Sequence, residues 1–149
     1  MCYEKKGDSG LPLKKTTLYP QHQKQGGKFI DFGGWDMPVS YGGSIIAEHK
    51  TVRTSVGVFD VSHMGQFKVQ GEKAFEFLQY LTINDVSKLV PGKGQYSAFL
   101  NERGGVVDDL IFYQLADGEY FLCVNAANLE TDYQWLVKHQ KEFSGVEVT

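Results

Sequence analysis

From residue 64 onward the apolar positions fall into two alternating periods. Met64–Gln70 sets Phe67 and Val69 against Gln66 and Lys68, the two-residue repeat of a strand with one buried face. In Glu72–Leu81, Ala74, Phe77, Leu78 and Leu81 follow the i, i+3, i+4, i+7 spacing of a helix with a buried stripe. After a loop holding Pro91-Gly92, Gln95–Leu100 and Val106–Leu115 read as strands. Asn101–Gly105 joins them, with glycines suited to the positive φ of a hairpin loop. Tyr120–Val124 is a further apolar strand. Residues 128–142 form a helix with Leu129, Tyr133, Leu136 and Val137 on one side, and Val146–Thr149 starts a last strand.

The first third is less regular. Residues 1–15 carry glycines and lysines without periodicity and read as a flexible leader. Leu18–Lys24 suits a short helix, with Pro20 in its first turn and Gly26-Gly27 as its stop. Lys28–Tyr41 reads as two extended pieces around Gly33-Gly34, and a helix follows near Ile45–Ser55. The order of elements predicts the α+β class: a ferredoxin-like α/β sandwich over 63–149, with its helices on one sheet face. Residues 16–62 read as the N-terminal part of an incomplete first domain. The whole is expected to be a fragment of a longer polypeptide.

Composition narrows the class of protein. The 149 residues are 42% apolar and 22% charged, which fits a globular domain and excludes a disordered tail. No apolar run nears the roughly 18 residues of a membrane span, and the opening ten residues lack a secretion signal. No membrane role is expected, and the cytoplasm is the expected location. Fifteen basic against eighteen acidic residues give a net charge of -3, with the lysines scattered. That is a poor footprint for nucleic acid. Cys2 and Cys123 make no disulfide framework, and His22, His49, His63 and His139 show no metal-ligand spacing, so no metal is expected.

Chemistry concentrates in Gly104–Tyr113. Alternation puts Val107, Asp109, Ile111, Tyr113 and Leu115 on one strand face and Val106, Asp108, Leu110, Phe112 and Gln114 on the other. Aspartate is poorly suited to strands, yet two stand side by side here. A carboxylate at Asp109, among Ile111, Tyr113 and Tyr96, would be partly desolvated, with a raised pKa suited to proton exchange near neutral pH. A bland reading stands beside it, an aspartate satisfied by loop amides. For Asp108, nearest the turn, loop amides that pin Gly104-Gly105 are the favoured reading. For Asp109 both readings stay open. Asp60-Val-Ser-His63 holds the residue types of a hydrolase triad, but triads assemble in space, and turn or capping roles fit better. Asn125 and Asn128 read as caps, with the Asn125 amide also able to reach a ligand. Met37 and Met64 read as core. The ten Phe, eight Tyr and two Trp suit an ordinary core or a flat ligand equally.

Four blocks in register carry a resemblance: Asp31–Tyr41, Arg53–Gly65, Asn101–Ile111 and Val124–Asn128. Together they resemble the N-terminal part of the glycine cleavage system T protein, the aminomethyltransferase family, from about Leu13 to the end. Thr17 and Gly33 depart from the family's usual Pro and Ala. The resemblance implies a three-domain protein more than twice this length, with a folate-binding channel. It implies transfer of an aminomethyl group from the lipoyl arm of the H protein to tetrahydrofolate, releasing ammonia. It also implies that Asp109, second acid of the Gly-Gly-x-x-Asp-Asp motif, is the carboxylate near the reacting nitrogens. Met64, Tyr96, Ile111, Tyr113, Cys123 and Asn125 would then line the folate surface. Two competing readings are a folate-binding module without transferase activity, as in relatives serving iron–sulfur assembly or transfer RNA modification, and a small α+β interaction domain.

Overall fold

A computed structural model describes residues 10–149. They form two compact units, one ending at His63 and the other running Met64–Thr149.

In the first unit, α1 (Tyr19–Lys24), β1 (Gly27–Phe32), β2 (Trp35–Tyr41) and α2 (Ile45–Thr54) follow in order. β1 and β2 pair antiparallel, Phe32 opposite Trp35, so the loop is only Gly33-Gly34. Both glycines have positive φ, 60° and 84°, as a two-residue hairpin loop requires. The side chains this unit buries are largely polar: Thr16, His22, Asp36 and Ser40 beside Leu13 and Met37. Two of them meet side chains of neighbouring residues. Tyr19 Oη donates to Asp36 at 2.9 Å, and His22 Nε2 lies 2.8 Å from Asp60. Of the leader read over residues 1–15, positions 1–9, with Cys2, lie outside the described residues. Its last residues are structured: Leu13 is buried, and Lys14 exchanges backbone hydrogen bonds of 2.9 Å with Gly34 and Asp36. A single apolar residue and backbone pairing hold this stretch, so periodicity gives no sign of it.

The second unit contains β3 (Gly65–Gln70), α3 (Ala74–Leu81), a 3-10 turn at Val86–Lys88, β4 (Gly94–Leu100), β5 (Val106–Ala116), β6 (Glu119–Val124), α4 (Leu129–Gln140) and β7 (Glu147–Val148). The strands form one sheet in the order β4-β5-β6-β3-β7, every neighbouring pair antiparallel. This is a mixed α/β unit with an antiparallel sheet. The ferredoxin-like detail is not confirmed, because three strands stand between the helices where β-α-β-β-α-β has two.

The core lies on one sheet face. Alternate positions Phe67 and Val69, Leu110 and Phe112, Leu122 and Val124 pack with Ala74, Phe77, Leu78 and Leu81 of α3 and Leu136 of α4. Each fully buried Phe or Leu there is worth about 1.5–3 kcal/mol relative to exposure. The buried stripe of α4 differs from the expected one. Leu129 and Tyr133 are exposed, and the helix turns Asp132, Leu136 and His139 inward, with Trp135 half-buried beside them. Two of the inward positions are polar, so an apolar count rotates the helix wrongly.

Candidate functional site

The helices cover one face of the five-stranded sheet and leave the alternate positions of its other face uncovered by them. Cross-strand register assembles a row there: Tyr96 opposite Ile111, Ile111 opposite Cys123, Cys123 opposite Gln66. A second row joins Gly94, Tyr113, Phe121 and Lys68. Ile111 is 40% and Tyr113 37% exposed on the inner strand β5, and Tyr96 is 62% exposed beside them on the edge strand β4. An exposed apolar and aromatic cluster of this kind is a candidate binding surface.

Asp109 stands within this patch, opposite Ala98 and one diagonal step from Tyr96. Tyr96 Oη donates to Asp109 Oδ2 at 2.8 Å. That hydrogen bond, with the charge of Asp109, raises the Tyr96 pKa, because ionised tyrosine has no proton to give the carboxylate. From the end of β6, Asn125 Nδ2 lies 3.1 Å from both Asp109 Oδ1 and the Asp109 backbone carbonyl, and 3.2 Å from both carboxylate oxygens of Asp108. An amide has two N–H groups, so Asn125 stands over more acceptors than it can serve at once. The result is a carboxylate fixed by a phenol on one side and an amide on the other, on an apolar platform. Such a group can accept or share a proton with a flat ligand lying on the sheet.

The structure thus gathers Tyr96, Asp109, Ile111, Tyr113, Cys123 and Asn125 on one face. Met64 is half-buried and precedes β3 one step beyond the Gly65–Val124 pair, level with Asn125. The Cys123 thiol is half-buried, and burial pushes its pKa up, so it serves as an apolar side chain and not as a thiolate.

Three expectations require correction. Asp109 is exposed and not partly desolvated, because its position in β5 turns it to the sheet face opposite the core. Asp108 does not pin the Gly104-Gly105 turn. Asn101 does, accepting at 3.0 Å from the amides of Arg103 and Gly105, while Asp108 is turned to the covered face and buried. Asn128 begins α4, but its side chain caps nothing; Nδ2 donates to Asp108 Oδ1 at 2.7 Å.

Asp60 and His63 form no triad. Asp60 accepts from the Ser62 amide and hydroxyl and faces His22, while His63 packs edge-on against Phe32 and Trp35. Burial by itself pushes the Asp60 pKa up. The hydrogen bonds from Ser62, His22 and Thr16 outweigh it and hold the carboxyl below the usual carboxylate range.

One residue beside the site escaped the sequence reading. Asp132 of α4 is fully buried and within hydrogen-bonding reach of Asp108. The signal for it was the helical spacing 132, 135, 136, 139, obscured because its first and last members are polar. Among the described residues no group of histidine, cysteine or acidic side chains has the arrangement to hold a metal ion, and no helix is long and apolar enough to cross a membrane.

Comparison with known proteins gives a consistent picture. The family model described as the GCVT N-terminal domain matches residues 18–149. An aminomethyltransferase of Chlorobium luteolum is 55% identical over 134 residues, 90% of this chain and 36% of that protein. Its counterpart from Chlorobium limicola is 58% identical over 134 residues, again 90% of this chain and 37% of the relative. The crystal structure of glycine cleavage system aminomethyltransferase T from Bartonella henselae superposes with a TM-score of 0.86 at 42% identity, covering 91% of this chain and 37% of that one. The chain therefore spans about a third of the length of the proteins it matches.

Proposed function

The chain belongs to the GCVT N-terminal domain family, and from that premise we propose that it is part of a tetrahydrofolate-dependent aminomethyltransferase. The observation that carries the reading is Asp109, held by Tyr96 and Asn125 on an exposed aromatic sheet face. In the proposed reaction an aminomethyl group on the lipoyl arm of the H protein passes to tetrahydrofolate. The methylene carbon ends between two folate nitrogens. The two N–H protons that folate gives up are taken by the departing sulfur and nitrogen, which leave as the dihydrolipoyl thiol and ammonia.

In this scheme Tyr96, Ile111, Tyr113, Cys123, Asn125 and Met64 support the folate rings, and Asp109 is the carboxylate beside the reacting nitrogens. Holding the two reactants in register is itself a large part of such catalysis, because a bimolecular step becomes effectively intramolecular. The partners are folate and the lipoylated H protein, with no nucleic acid and no membrane. The proposed setting is the cytoplasm. No metal takes part in this scheme.

The test uses a full-length protein containing this chain, mixed with aminomethylated H protein and tetrahydrofolate. Asp109→Asn is expected to lower methylenetetrahydrofolate formation by about 10²–10⁴-fold, the usual share of a positioned proton-exchanging group. Turnover unchanged in Asp109→Asn would remove that side chain from the mechanism. Folate binding without any transfer in the unmodified protein would favour a binding module. No heat on titrating reduced folate would favour an interaction domain.

A further inference from the structure

Beneath the open face, on the helix-covered side, a second acidic group has no ordinary explanation. Asp132 is fully buried, and neither of its carboxyl oxygens meets a donor. What it does meet is another carboxyl: Asp108, itself 6% exposed, lies within hydrogen-bonding reach. Two ionised carboxylates in contact out of water repel each other and leave lone pairs unsatisfied on both sides. A proton between them removes both problems, turning two acceptors into one donor and one acceptor.

The remaining partners decide which carboxyl carries it. Asp108 already accepts from Asn128 Nδ2 at 2.7 Å and faces Asn125 Nδ2 at 3.2 Å, so its ionised form is supported. Asp132 has no such donors. We infer that Asp132 is held as a neutral carboxylic acid that donates to Asp108, and that this buried pair is a positioning device for the Asp109 site. The connection runs through named atoms. Asp132 fixes Asp108, Asp108 orients the Asn125 and Asn128 amides, and Asn125 reaches Asp109 Oδ1 and the Asp109 carbonyl. The charges acting on Asp132 are those of Asp108, which faces it from β5, and of Asp109 on the far side of the same strand, while His139 is the other inward-facing titratable group of α4. Burial, together with Asp108, pushes its pKa up to about 8.

The pair is a property of the fold and does not depend on folate. Only its significance for Asp109 rests on the proposed transfer reaction. The test is therefore made without substrate, by carboxyl-carbon NMR of the folded protein across pH, with the Asn125 and Asn128 side-chain amides followed in parallel. The Asp132 carboxyl is expected to remain protonated at neutral pH, with a midpoint near 8. Asp132→Asn, which keeps a neutral donor, is expected to leave the Asn125 amide resonances close to their original positions. Asp132→Ala is expected to displace them. An Asp132 carboxyl that titrates near 4, as an ordinary aspartate does, would overturn the inference, and this measurement needs no variant. Asn125 resonances that move equally in both variants would overturn the positioning role.

Discussion

Asp108 and Asp109 are neighbours in sequence and belong to different environments. The two-residue repeat of β5 sends one under the helices and the other onto the open face. Nothing in the chemistry of the two side chains distinguishes them; the strand does. Asp132 adds a consequence for stability. Its folded-state pKa is raised from 3.8 to about 8, so the folded chain keeps a proton that the unfolded chain loses. Stability contributed by this group is present at low pH and declines as pH rises from about 4 towards 8, levelling off above. Urea unfolding at several pH values in that window is expected to show the decline, and Asp132→Asn to flatten it. A slope unchanged in Asp132→Asn would assign the dependence to another group. The sequence exposed the Asp109 face by alternation, but it could not expose Asp132. That required knowing that α4 turns residues 132, 136 and 139 inward, which the helix's own apolar residues do not indicate.

At the scale of elements, alternation and helical spacing placed every strand and helix of the second unit to within a few residues, because each strand buries one face against α3 or α4. Strand order was not legible, since it depends on pairing between distant segments: β6 lies between β5 and β3, and β7 lies beyond β3. Pairing also makes one glycine indispensable. Gly71, just after β3, has φ of 132°, and a Cβ there would fall 1.9 Å from the Gly145 carbonyl oxygen. Gly92 has φ of 79° and open space around it. Gly92→Ala is expected to cost about 1–2 kcal/mol from backbone strain alone. Gly71→Ala is expected to cost more, because the backbone leading into β7 must move. Chemical denaturation compares them directly, and equal losses would show that the approach of Gly145 is not tight.

At the scale of the molecule, this chain spans about a third of the length of the aminomethyltransferases it matches, and the proposed transfer reaction gives its open sheet face the part of a platform with Asp109 as the acid. The exposed Tyr96, Ile111 and Tyr113 make sense as a surface that a ligand covers. The family resemblance was legible in four sequence blocks, and the family model and the relatives agree with it. The exposure of Asp109 was not legible, because it depends on what lies over the sheet. Ile111 is the most direct reporter of that face, placed between Tyr96 and Cys123 with Asp109 two residues away on the same side of β5. Methyl NMR of Ile111 in a full-length protein, titrated with tetrahydrofolate, tests the assignment of the face. A saturable ring-current shift of the Ile111 methyl is the predicted result. Binding heat with the Ile111 methyl unmoved at saturation would place the folate elsewhere and contradict the account.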